Sequence, residues 1–153
     1  MGYYLQAFIC KTTDADCLTN VYDKAISVDM GQGVSLIPMT ENLFDQINEG
    51  KVSADVGVLD YMTENIEHKI LTVIGARPFS YVEAEYFGGQ GGQQAIIWQD
   101  GKRFQLLPFD QGRINHVLKY FGVVVDKGGD EFNTLGFGRN RYTKDWLDEV
   151  NNR

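Results

Sequence analysis

The dipeptide Asp100-Gly101 separates two β-type runs rich in apolar residues, "QQAIIWQ" and "KRFQLL". A type I′ turn needs positive φ at both central positions, and Asp-Gly tolerates it, so these runs form a β-hairpin whose register the turn sets. Gln99 then pairs with Lys102, Ile97 with Phe104 and Ala95 with Leu106, giving the hairpin one plainly apolar face. Any fold of this chain must bury that face.

The preceding run, "YVEAEYF", has to agree with it across "GGQGGQ". Side chains alternate along a strand, so Val82, Ala84 and Tyr86 share one face while Tyr81, Glu83, Glu85 and Phe87 share the other. A loop over residues 88–92 would set both glutamates on the apolar face, where unpaired carboxylates are costly to bury. A loop over 88–93, with Gln90 at its tip, sets Tyr86 opposite Ala95 and Ala84 opposite Ile97 and moves the glutamates across. Glu85 then faces Ile96 and Glu83 faces Trp98. The second face carries Glu83, Glu85, Ile96, Trp98, Arg103 and Gln105, and either a helix covers part of it or it is a contact surface. The latter makes Glu83, Glu85, Gln90, Ile96, Trp98 and Arg103 the candidate partner-binding residues, centred on Trp98.

The glycines invite a phosphate-loop reading, which fails. A phosphate sits on backbone N–H groups where a helix begins, and here a strand follows; the Lys-Ser/Thr of a Walker motif is also missing. Glu83 and Glu85 stand roughly 6–7 Å apart on one strand face, within reach of paired-carboxylate chemistry or of a shared cation. No ligand or sugar-stacking signature flanks them, so no catalytic residue, metal ligand or cofactor is assigned. His68 and His116 have no Cys, Ser or Asp at triad or metal spacing. Arg139, Arg141 and Lys144 form the densest basic cluster and are the candidate anion-binding residues. A fold that brought Arg139 or Arg141 to Glu83 and Glu85 would make an enzyme or small-ligand site.

Elsewhere, residues 3–10 read as a first strand, and 24–39 as a hairpin about "MGQG". Thr40 caps a helix ending at Gly50, Thr63 caps one through Ile66, Ile70, Val73 and Ile74, and residues 51–59 form a loop. Asp110 is expected to cap a helix with Ile114, Val117, Leu118 and Phe121 buried, and Asp130 and Thr143 to cap two more. This order predicts one α+β domain over residues 1–153, a mostly antiparallel sheet of about five to six strands packed against three to five helices.

Hydrophobic residues make up 43% of the chain and charged residues 23%, a globular rather than disordered composition. Cys10 and Cys17 read as free thiols, and with no secretory signal or long apolar run the expected location is a cytoplasm. A net charge of −7 disfavours direct contact with nucleic acid or anionic lipid and favours a basic protein partner. Oligomeric state is left open.

The segments "GYYLQAF", "GVSLIPMTENLFD", "YVEAEYFGGQGGQQAIIW" and "DEFNTLGFGRNRYTKDW" resemble a group of small bacterial proteins described only as hypothetical, which share a YFGGxGxQ-type hairpin. The resemblance spans almost the whole chain and implies a single-domain bacterial cytosolic protein. It brings no activity with it. Acidic proteins of this class often neutralise toxins, so the reading taken forward is a protein-binding module of immunity type, directed at a basic toxin or nuclease.

Overall fold

A computed structural model describes residues 2–151. They form an α+β fold built on one six-stranded sheet with the order β2-β3-β1-β4-β5-β6. The strands are β1 (Gly2–Lys11), β2 (Val28–Gly31), β3 (Val34–Pro38), β4 (Phe79–Phe87), β5 (Gln90–Gln99) and β6 (Lys102–Asp110). Every adjacent pair is antiparallel. Four helices are of seven or more residues: α2 (Glu41–Asn48), α3 (Glu64–Ile74), α4 (Arg113–Tyr120) and α6 (Asp145–Asn151). Two are single turns, α1 (Asp16–Thr19) and α5 (Glu131–Thr134).

Helices lie on both sides of the sheet, so each face has its own core. Phe8, Phe79, Tyr81, Ile96 and Trp98 point toward α2 and α3 and pack on Leu43, Ile66 and Ile70. Leu5, Ile9, Val82, Ala95 and Ile97 point the other way, onto Ile114, Val117 and Trp146. This arrangement settles Trp98: it is fully buried under α3, as is Ile96, and neither can centre a surface patch.

The caps explain where the helices begin. Thr40 Oγ1 accepts from Leu43 N at 3.1 Å, Thr63 Oγ1 from Ile66 N at 3.3 Å and Asp130 Oδ1 from Asn133 N at 2.8 Å. Asp110 is no cap: it ends β6 and takes Gln111 N, and α4 starts from Gly112 in the left-handed region. Nor is Thr143, whose hydroxyl both accepts from Gln6 N and donates to Gln6 Oε1.

The central hairpin differs in register from the expected one. Gly88 and Gly89, at φ 61° and 79°, form a two-residue turn, so Phe87 pairs with Gln90 and Glu83 with Gln94. The partner of Glu83 has slid from residue 98 to 94, an even step, and its face is therefore unchanged. Gln90 is consequently a strand residue beside the turn rather than a loop tip. In β6 the Asp100-Gly101 turn keeps Gln99 opposite Lys102, but a bulge then places Gln105, not Phe104, opposite Ile97 and Leu106 opposite Ile96. Each bulge advances one strand by one residue. Phe104 is left 51% exposed and Leu106 39%, both outside the core they were expected to fill.

Candidate functional site

On the α3 side the apolar core beneath α2 and α3 includes Phe8, Tyr81 and Ile96 of the three central strands. Beyond Phe8, Tyr81 and Ile96 the same face continues with Tyr4 and Gln6 on β1, Glu83 and Glu85 on β4, and Gln94 on β5. Strand pairing aligns them in rows: Gln6 opposes Glu83, which opposes Gln94, and Tyr4 opposes Glu85. Alternation alone therefore collects polar groups from three strands on one stretch of sheet beyond the apolar core.

Where β3 stops at Pro38, the segment leading into α6 takes its place beside β1. Tyr4 N donates to Arg141 O at 2.7 Å, Gln6 N donates to Thr143 Oγ1 at 3.0 Å, and the rings of Tyr4 and Tyr142 stack at 6.0 Å. Two connected hollows result. The first, about 220 Å³, is lined by Glu83, Glu85, Asp60, Gln94, Tyr61 and Phe109 among others. The second, about 520 Å³, lies between the start of α2 and residues 142–147, and shares Tyr4, Gln6 and Tyr61 with the first.

Glu83 forms the base of the first hollow and is 5% exposed. Its Oε1 accepts from Asp60 N at 2.8 Å, and its Oε2 accepts from Tyr61 N at 2.9 Å and from Tyr81 Oη at 2.6 Å. Burial raises its pKa above the ordinary value of 4.5, against the opposing pull of those three hydrogen bonds. Three donors aimed at two oxygens hold Glu83 as an acceptor; a general acid would have to give one of them up. Glu85 is exposed at the mouth, and neither its carboxylate nor that of Asp60 has a hydrogen-bond or ion-pair partner among the described residues.

The glycine stretch shapes this hollow. A Cβ on Gly91 would fall 1.9 Å from Glu85 O, and one on Gly92 would fall 2.8 Å from the ring of Phe109. Gly92 thus leaves a flat seat for that ring, which is 51% exposed beside the acidic groups. An aromatic face and carboxylates around a small cavity favour a cation, by quadrupole attraction and by charge.

The remaining residues singled out from the sequence are dispersed. Arg103 does not approach Glu83: its guanidinium grips Glu67 of α3, Nη2 to Oε1 at 2.6 Å and Nε to Oε2 at 3.0 Å, and the Trp98 indole N–H donates to the same Oε2 at 2.9 Å. Burial pushes Glu67 upward, but those bonds and the Arg103 charge bring its pKa below 4.5 overall. Arg139 is likewise committed, with Nε and Nη2 on Glu149, Nη1 on Leu135 O, and the guanidinium 4.8 Å over Trp146. It holds α6 to its neighbouring loop and is neither a free anion site nor a partner for Glu83. Lys144 lines the second hollow. Arg141 is exposed and reaches the groove through its backbone carbonyl.

Sequence reasoning missed Tyr4, Gln6, Asp60, Tyr61, Gln94 and Phe109. Gln6, polar within "YYLQAFIC", was the available signal, because it alone breaks the apolar face of β1 that ends in Phe8 and Cys10. Among the described residues no cluster of three His, Cys, Asp or Glu side chains is placed to hold a metal, and no helix is long and apolar enough to cross a membrane. The chain matches no family model, and no curated protein or solved structure matches it.

Proposed function

We propose that this chain is a protein-binding module that seats a cationic side chain of a basic partner in the hollow between Glu83, Glu85, Asp60 and Phe109. The observation that carries it is the pairing of a fixed carboxylate at the base with uncommitted carboxylates and an exposed ring at the rim. At about 220 Å³ the hollow is below the roughly 300–1,000 Å³ of drug-sized sites, which suits one lysine or arginine side chain better than a whole small molecule. The net charge of −7 works in the same direction, steering a basic protein toward the chain. Neutralisation of a basic toxin by an immunity-type partner is the specific form suggested by analogy with other small acidic proteins.

Calorimetric titration with a short arginine-containing peptide, beside the same peptide carrying citrulline, tests this reading. The arginine peptide should bind, more weakly as salt rises, and Glu85→Gln should reduce affinity by about fivefold. Equal behaviour of the two peptides would remove the reading.

A second reading is an enzyme or small-ligand site using the two glutamates. Their shared hollow and the raised pKa of Glu83 favour it, although Arg139 has no part in it. Turnover of a glycoside or ester panel that disappears in both Glu83→Gln and Glu85→Gln would establish it.

A further inference from the structure

The two edges of the sheet are finished differently. β2 has four residues, and its turn is held by Gln32, whose amide brackets Val124 N and O at 2.8 and 2.9 Å. β6 has nine residues and no strand outside it. Such an edge presents N–H and C=O groups to any chain that can pair with it. Phe104, Leu106 and Phe109 are exposed along it, and Val58, on the loop whose Gly57 meets Leu106, is 71% exposed.

We propose that β6 pairs antiparallel with β6 of a second copy about a two-fold axis at Leu106, joining two sheets edge to edge. The order of side chains selects this occupant. In that register Leu106 meets its counterpart, Lys102 meets Asp110, Arg103 meets Phe109 and Gln105 meets Leu107. The bulges keep opposed residues on one face. Arg103 and Leu106, opposite Trp98 and Ile96, lie on the α3 side, as does Phe109 in the acidic hollow, whereas Gln105 and Leu107 oppose Ile97 and Ala95 on the other side. Antiparallel pairing demands that agreement.

Charge agrees as well. β6 carries Lys102 and Arg103 against Asp110, so two acidic chains can approach along this strip without facing like charges. Pro108 has no N–H to donate, and its carbonyl already accepts from Arg113 Nε at 2.8 Å, so the central residues form the ladder.

Light scattering of the intact chain over a concentration series tests the proposal. The expected species has twice the 17.3 kDa chain mass. Leu106→Lys, which sets two ammonium groups together on the axis, should leave a monomer. Lys102→Asp and Asp110→Lys should each raise the dissociation constant about tenfold, and the K102D/D110K double variant should restore it, since the opposed charges are then exchanged rather than alike. A monomer at every concentration overturns the proposal, as does a dimer indifferent to Leu106→Lys or a double variant as weak as its parents.

Discussion

The two faces of the sheet each carry a cavity near the same end, and they differ in what their polar groups do. On the α4 side a hollow of about 550 Å³ is lined by Tyr3, Tyr86, Gln93, Gln111, Asn115 and Phe132. Its groups satisfy one another: Tyr86 Oη donates to Gln111 Oε1, Gln93 Oε1 accepts from Ile114 N, and Asn115 bridges Asp130 Oδ2 and Phe132 N. On the α3 side Glu83 is satisfied, but Glu85 and Asp60 are not. A larger cavity is therefore the weaker candidate. Hydrogen bonds already closed within the protein stabilise it, while open ones remain for a ligand.

That contrast predicts that variants of the committed polar groups and of the open ones divide between stability and binding. The largest effect belongs to Glu83→Ala, which strands two backbone N–H groups and the Tyr81 hydroxyl. It should cost about 3 kcal/mol, read as a fall in melting temperature of roughly 6–12 °C. Asn115→Ala, on the other face, should cost about 2 kcal/mol in denaturant unfolding and leave arginine-peptide affinity unchanged. Asp60→Asn should do the reverse, altering stability by no more than about 0.5 kcal/mol while weakening the peptide. If Asn115→Ala harmed binding as much as Asp60→Asn, the division would fail.

Acid and base should separate the two buried glutamates on the α3 side as well. The pKa of Glu67 is lowered by its partners, so its contribution is present above 4.5 and is lost as pH falls through its folded value. The pKa of Glu83 is raised, so its contribution is full below 4.5 and is lost as pH rises through its folded value. The penalty of Glu67→Gln should accordingly shrink toward acid and that of Glu83→Gln should shrink toward neutrality. Chemical denaturation of both variants between about pH 3 and 7 measures the two slopes, and slopes of the same sign would contradict the assignment.

The sequence carried the fold further than the site, for local reasons. Caps at Thr40, Thr63 and Asp130 were legible because each bonds within its own turn. Thr143 misled because its hydroxyl is engaged by Gln6, 137 residues away. The hairpin faces survived a wrong loop length because the error was even. Phe104 and Leu106 did not survive, since a bulge is an odd step and "RFQLL" gives no sign of one. Trp98 looked available because the residue that covers its indole nitrogen, Glu67, reads as one more acidic position on a helix, and its pairing with Arg103 is a tertiary event. Glu83 and Glu85 could be singled out, whereas Tyr4, Gln6 and Phe109 join them only through the β1–β4 pairing and a glycine seat on β5.

On the proposed function, the α3-side hollow, and not the cavity opposite, takes a cation. A ¹⁵N-resolved NMR titration of the whole chain with an arginine-containing peptide reads both at once. Amide signals of Gln6, Tyr61, Glu85 and Gln94 should shift with added peptide, while those of Tyr3, Gln93, Gln111 and Asn115 should stay in place. Shifts confined to the second group, or none in the first, would contradict it.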